Sequence, residues 1–329
     1  MWSAILHDAR EGHPALVTFA FVCVACAVAT GIPLLVDSRL VNGAPAWHKP
    51  LKFFVSAAIY SFTFAWYLGQ DPDRERQRTR GGLASWLGTG VWVALAIELA
   101  LITLQACRGV GSHFNISTSF DARVFNVMGL MILALTLIHT ALSVRLLRAR
   151  WTNRPRLTAC RWGAGLALVG LSVGALMVRP RPDQLAEVRA GRPAVAGGHT
   201  VGATDGGAGL PFVNWSTEAG DRRVGHFVGL HAMQAVPAVV LLAPAWWPQQ
   251  AVLAAVRVTG LAYGALTMLL IVQAQQARPV LRPGTTLGIA GLLAALGWIV
   301  SMAVIARRAA ANSTSPPPVV RRNKTTARV

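Results

Sequence analysis

Eight apolar stretches, each about 18 to 25 residues long, recur along this 329-residue chain. A helix rises 1.5 Å per residue, so each stretch can cross the roughly 30 Å hydrocarbon core of a bilayer. Backbone amides find no water there, and segments that satisfy their own hydrogen bonds as helices are the structure such stretches adopt. The pattern predicts spans near 15–36, 51–70, 84–106, 123–146, 161–178, 226–246, 250–274 and 285–306. The fold class is therefore an all-α membrane protein in contact with the lipid bilayer, with one membrane domain over 1–306. The first run is too long for the core of a signal peptide and reads as a span. Composition agrees: 53% of residues are hydrophobic and 13% are charged, about half the ~25% charged share of an ordinary soluble protein.

The formal charge of +18 would suggest nucleic acid in a soluble domain. Here the basic residues sort by membrane side. Arg10, the 71–83 loop (Arg74, Arg76, Arg78, Arg80), the 145–161 segment and the chain after 306 hold 17 of the 31. Six of the rest lie in or beside one long loop, which the positive-inside rule discounts. Both termini are thus expected in the cytoplasm, and no nucleic-acid partner is expected. Trp47, Trp66, Trp86, Trp151, Trp162, Trp246 and Trp247 fall near predicted span ends, where an amphipathic ring is favoured. Residues 307–329, with Ser, Thr and Pro and then Arg321, Arg322, Lys324 and Arg328, read as a disordered basic tail that attracts anionic head groups.

Polar residues are unevenly placed. Five of the eight histidines (His48, His113, His199, His226 and His231) fall on the extracytoplasmic side or in the outer leaflet. Beside them stand Arg108, Asn115 and Asp121 around one outer loop, and Asp205, Asn214, Asp221 and Arg223 in the long 179–225 connection, which reads as a folded cap over the bundle. Within the membrane, Glu98 sits on the order of 12 Å below the outer end of span 3. An ionisable residue there marks a functional site. Gln105 shares its helix face. His231 and Gln234 lie about 9 and 13 Å below the same border, so depth matching predicts that Glu98, His231 and Gln234 meet. His226 and His231 are five apart, about 140° around a helix, which is not the i, i+4 spacing of a helical metal site.

His48 in Trp47-His48-Lys49-Pro50-Leu51-Lys52 reads as an interfacial anchor with snorkelling lysines. His139 reads as a buried, hydrogen-bonded histidine. Cys23 and Cys26 form a C-x-x-C on an apolar helix, where small residues serve packing. A short internal echo links Gln105-Ala106 at the end of span 3 to Gln273-Ala274 at the end of span 7, and His48 to His226 at the starts of spans 2 and 6. It suggests two four-helix halves related by a pseudo-twofold along the membrane normal.

The residues Trp47-His48-Lys49-Pro50-Leu51-Lys52-Phe53, Gln105-Ala106-Cys107-Arg108-Gly109, Ser112-His113-Phe114-Asn115 and the segment from His199 to Gln234 resemble a family of bacterial eight-span membrane proteins with no assigned activity. That resemblance implies an inner-membrane location and carries no catalytic residue over. The two-half layout is similar to haem A synthase in architecture alone.

Three functions compete. The leading one is an outward-facing, His-rich pocket that binds a metal or haem-type cofactor, with His113, His226 and His231 as ligands, Gln234 beside them, and Glu98 and Asp221 orienting imidazoles. An alternative is a hydrolase or transferase acting on a lipid-like substrate in the outer leaflet. There Glu98 or His231 would be the general base, with Arg108 and Arg223 gripping a phosphate or carboxylate. Gln105, Asn115, Asp121, His199, Asp205, Asn214 and Asp221 complete that substrate surface. The third is a transporter coupled to protons through Glu98.

Overall fold

The computed structural model describes residues 1–71, 82–192 and 194–314. Most of the arginine-rich 71–83 loop and most of the basic tail lie outside these. Among the described residues eight helices are long and apolar enough to cross a membrane. They are Pro14–Val36, His48–Gly69, Leu83–Arg108, Ser119–Arg148, Arg154–Met177, Arg222–Leu242, Gln249–Gln275 and Thr285–Ala311, numbered here as spans 1 to 8. The protein has an all-α membrane fold.

Three boundaries differ from the sequence reading. Span 2 begins at His48 rather than near 51, because Pro50 falls in the first turn, where a missing N–H breaks no helical bond. Lys49 and Lys52 are therefore helical and one turn apart. Span 6 runs from Arg222 to Leu242, not 226 to 246. Asp221 caps it by accepting the Arg223 N–H at 3.0 Å, and the helix stops ahead of Pro244. The last helix continues to Thr314, past the expected limit of 306.

Span 1 packs on spans 2 and 3, span 2 on span 3, and span 3 on span 4. The second half repeats this order: span 5 on spans 6 and 7, span 6 on span 7, and span 7 on span 8. With four spans each, the halves run in the same direction, as a parallel repeat requires. Spans 4 and 5 join them. An amphipathic helix, Trp2–Gly12, precedes span 1 and packs on span 2, with Trp2 stacked on Phe62 at 5.6 Å.

The two halves of the bundle's thickness differ. Towards the chain ends the interior is solid, with Leu16, Phe64, Tyr67, Leu142, Leu157 and Met233 in one buried cluster. We call this the terminal half. The other, the lid half, carries the long connection between spans 5 and 6. That connection contains the helix Pro182–Arg189 and an antiparallel pairing of Thr200–Val201 with Gly220–Asp221. The Gln184 side chain bonds both the N–H and the C=O of Gly197. The Asp205 carboxylate accepts the N–H groups of His199 and Thr200, at 3.2 and 2.8 Å.

Hydrophobic burial does little to hold helices together inside lipid, so close packing and interhelical hydrogen bonds must do it. Spans 5 and 6 meet at Gly170 and Gly229, where a Cβ on Gly170 would come within 2.7 Å of the Leu230 backbone N. Span 6 also contains Pro237, which cannot donate to the carbonyl four residues back. That carbonyl belongs to Met233, and the Tyr67 hydroxyl of span 2 donates to it at 3.1 Å. The proline opens a gap in the ladder of span 6, and a tyrosine from the other half of the chain fills it. Tyr67→Phe should therefore cost about 1–3 kcal/mol by leaving a buried carbonyl unpaired. Adding Pro237→Ala should recover most of the loss by restoring the N–H. A double-mutant cycle on thermal unfolding measures this, and additive losses would contradict the pairing.

Candidate functional site

The lid half encloses a cavity of about 1250 Å³, walled by spans 2, 4, 5 and 6 and roofed by residues of the 199–216 segment. Most of its wall is apolar: Phe53, Val55, Ile59, Leu130, Leu133, Leu171 and Phe227 all face it. Polar groups stand both under the roof and deeper along the wall. His113, His199, Asp205, Asn214, Arg223, His226, His231 and Gln234, all singled out from the sequence, line it together with Lys49 and Lys52.

The polar groups form two sets. In the first, Lys49 Nζ lies 2.9 Å from His113 Nδ1, and His113 Nε2 lies 3.3 Å from Glu98 Oε1. An ammonium only donates, so His113 Nδ1 accepts and its Nε2 carries the proton towards the carboxylate. This corrects the depth match, because Glu98 meets His113 and not His231 or Gln234. Depth reckoned along helices missed it because His113 sits on the 109–118 loop, which folds inward beside Phe53, their rings 5.6 Å apart. Glu98 is 1% exposed, and neither of its carboxylate oxygens has a hydrogen-bond partner among the described residues, so the approach of His113 is a charge contact and not a hydrogen bond.

The second set belongs to span 6. His226 Nδ1 is 2.8 Å from the Gly170 carbonyl. His231 Nδ1 is 3.2 Å from Gln234 Oε1, and Gln234 Nε2 donates to Thr63 Oγ1 at 2.9 Å. Both acceptors are carbonyl oxygens, so both imidazoles are protonated at Nδ1 and keep an Nε2 lone pair. The sequence placed His231 and Gln234 on one helix face; Thr63, the anchor from span 2, it missed. Tyr60, another cavity residue, one turn nearer the lid than Thr63, lies 3.0 Å from His139 Nδ1, and His139 Nε2 donates to the Ala164 carbonyl at 3.0 Å. This ties spans 2, 4 and 5 together under the cavity.

Other expected site residues lie elsewhere. The Asp121 carboxylate accepts from Gln105, Arg108 and Thr118 and so secures the first turn of span 4 outside the cavity wall. Arg108 also reaches the Gln105 side-chain oxygen. Asn115 closes its own loop, donating to the Gly111 carbonyl and accepting from Ser117. Asp221, its side chain 0% exposed, pairs with Arg223 at 2.6 Å and accepts the Ser216 N–H. Arg223 also donates to the Asn214 carbonyl.

Lys49 and Lys52 are the site residues that sequence reasoning set aside as surface anchors. Their i, i+3 spacing puts both on one helix face, which was the available signal. Lys49 touches His113 and the face of Phe53. Among the described residues Lys52 bonds only the Val213 carbonyl, at 3.4 Å. Neither lies within 4.0 Å of a carboxylate among the described residues. Two like charges on one wall of a largely apolar cavity are unfavourable unless an anion joins them.

As for metal ligation, no group of three or more His, Cys, Asp or Glu among the described residues is placed to hold an ion. His113 has both nitrogens engaged, which leaves His226 and His231 with one free nitrogen each. The chain matches no family model, no curated protein and no solved structure. The resemblance to an eight-span family rests on the quoted residues alone.

Burial, and then the charge of Arg223, lower His199 to about 4, although Asp205 and Asp221 pull the other way. Burial, and then Lys49, hold His113 well below the usual imidazole value. Both are neutral in the folded protein near pH 6, where an unfolded histidine is largely protonated. The unfolded chain then binds more protons, so stability falls as pH drops from about 6.5 towards 4, by up to about 1.4 kcal/mol per pH unit for each histidine. Thermal unfolding across that window should show the decline, and His199→Asn should flatten it. An unchanged slope in that variant would count against the assignment.

Proposed function

We propose that this membrane protein binds, and acts on, a lipid-like molecule with an anionic head group. One observation carries the reading: Lys49 and Lys52, one turn apart and with no carboxylate within 4.0 Å among the described residues, head a cavity whose wall is mostly apolar and whose roof is the 199–216 segment. A phosphate or carboxylate under that roof offsets the two ammonium groups, and the apolar wall below accepts the chain. His231, oriented through Gln234 and Thr63 deeper in the same cavity, supports the chemistry because its Nε2 can take a proton from a part of the bound molecule that reaches below the lysines. In the orientation favoured by the basic residues, the site faces the outer leaflet.

The metal or haem reading draws on the same imidazoles, but among the described residues the geometry supplies it with His226 and His231 and no third ligand grouped with them. It therefore ranks second. Lys52→Gln should weaken binding of phosphatidylglycerol to the purified full-length chain by about tenfold or more, the worth of one charge-assisted contact. Binding of phosphatidylcholine should be unchanged. Equal affinity of wild type and Lys52→Gln for phosphatidylglycerol would overturn the proposal, and a Soret band in the purified protein would restore the haem reading.

A further inference from the structure

The reading above leaves open how the occupant reaches the cavity. We infer that it is a membrane lipid with an anionic head group, admitted sideways from the leaflet on the lid side through a gap between the lid-half segments of spans 4 and 5. This rests on the anionic-amphiphile site just proposed.

The two helices are fastened to each other in the terminal half. His139 of span 4 bonds the Ala164 carbonyl of span 5, and Arg161 of span 5 bonds the carbonyls of Leu146, Leu147 and Ala149. The buried cluster spanning both helices runs through Leu135, Leu142 and Leu146 on one side and Leu157, Cys160 and Ala164 on the other. Towards the lid they part. The buried contacts of span 4 there, Val124 and Met128, are with Ile102 of span 3. Its neighbouring face, with Asn126, Gly129 and Leu133, lines the cavity together with Leu171, Ser172 and Ala175 of span 5. Leu133 is 54% exposed, and a Cβ built on Gly129 would have nothing within 4 Å.

The roof is fastened where the sides are not. Lys52 bonds Val213, the Phe212 ring lies edge-on to His48 at 6.3 Å, and the Thr200–Asp221 pairing holds the connection to span 6. Depth points to a lipid as well. From Lys49 to Tyr60 is a rise of about 16 Å, close to half of a ~30 Å hydrocarbon core. The cavity is therefore one leaflet deep, with its cations at head-group level.

The test uses the full-length chain in phosphatidylcholine vesicles carrying phosphatidylglycerol with a diazirine at the end of its acyl chain. After irradiation, mass spectrometry should find label near Ile59 and Tyr60, inside the cavity. Gly129→Trp, at a position where an added Cβ meets open space, should lower that labelling about tenfold, as should Ala175→Trp on the facing helix. A short-chain, water-soluble phosphatidylglycerol that does not need the gap should bind wild type and both variants alike. If both variants label like wild type while the short-chain lipid binds, the lateral route fails and the anionic-amphiphile site stands. If neither lipid binds wild type, the site itself fails. Equal labelling by a diazirine phosphatidylcholine would show that the occupant needs no anionic head group and would also overturn the inference.

Discussion

A carboxylate inside a bilayer sets the terms for the lid half of this protein. Glu98 is fully enclosed, and an isolated charge there is costly. The compensation is indirect: Glu98 faces the N–H of His113, whose other nitrogen accepts from Lys49. This chain needs the 109–118 loop to turn inward and span 2 to start early enough to bring Lys49 into the helix. Both conditions shape the cavity, since His113 and Lys49 stand in its wall. With a neutral imidazole as spacer, the cation and the anion stay apart. The lysine keeps two N–H groups for something else, and neither carboxylate oxygen has a hydrogen-bond partner among the described residues. A direct Lys–Glu pair would have neutralised both groups and left no reason for a ligand.

The same geometry explains how far the residues could be read unaided. The spans were legible because a run of apolar residues is a length measurement, and the bilayer fixes the length. His231 with Gln234 was legible because i, i+3 neighbours on a helix must meet. Glu98 with His113 was not, since depth along a helix is set by its rise, whereas a loop can enter the bundle at any depth. Tyr67 and Pro237 show a related limit. A proline in a span announces a missing hydrogen bond, but which side chain replaces it depends on which helix crosses at that height. Gln105, Arg108 and Asp121 were read as chemistry because polar residues at a membrane border resemble a site. Their hydrogen bonds close among themselves and around the start of span 4, outside the cavity wall.

The repeat and the cavity bear together on the choice between binding and transport. The two halves pack their helices in the same order, yet they contribute different chemistry. The first supplies Lys49, Lys52 and Thr63; the second supplies His226, His231 and Gln234. The site thus lies where the halves face each other, as in many transporters. Alternating access, however, requires that rocking one half against the other open a path on the far side. Here the far side is the solid cluster of Leu16, Phe64, Tyr67, Leu142, Leu157 and Met233, and bonds between the halves cross at or above it, among them Tyr67 to Met233, Gln234 to Thr63 and His139 to Ala164. Opening that side would strip a carbonyl beside Pro237 of its donor within an apolar interior. The halves are therefore pinned where a transporter must move and hollow where a lipid can enter, which favours a one-sided site that takes up and releases its ligand on the lid side.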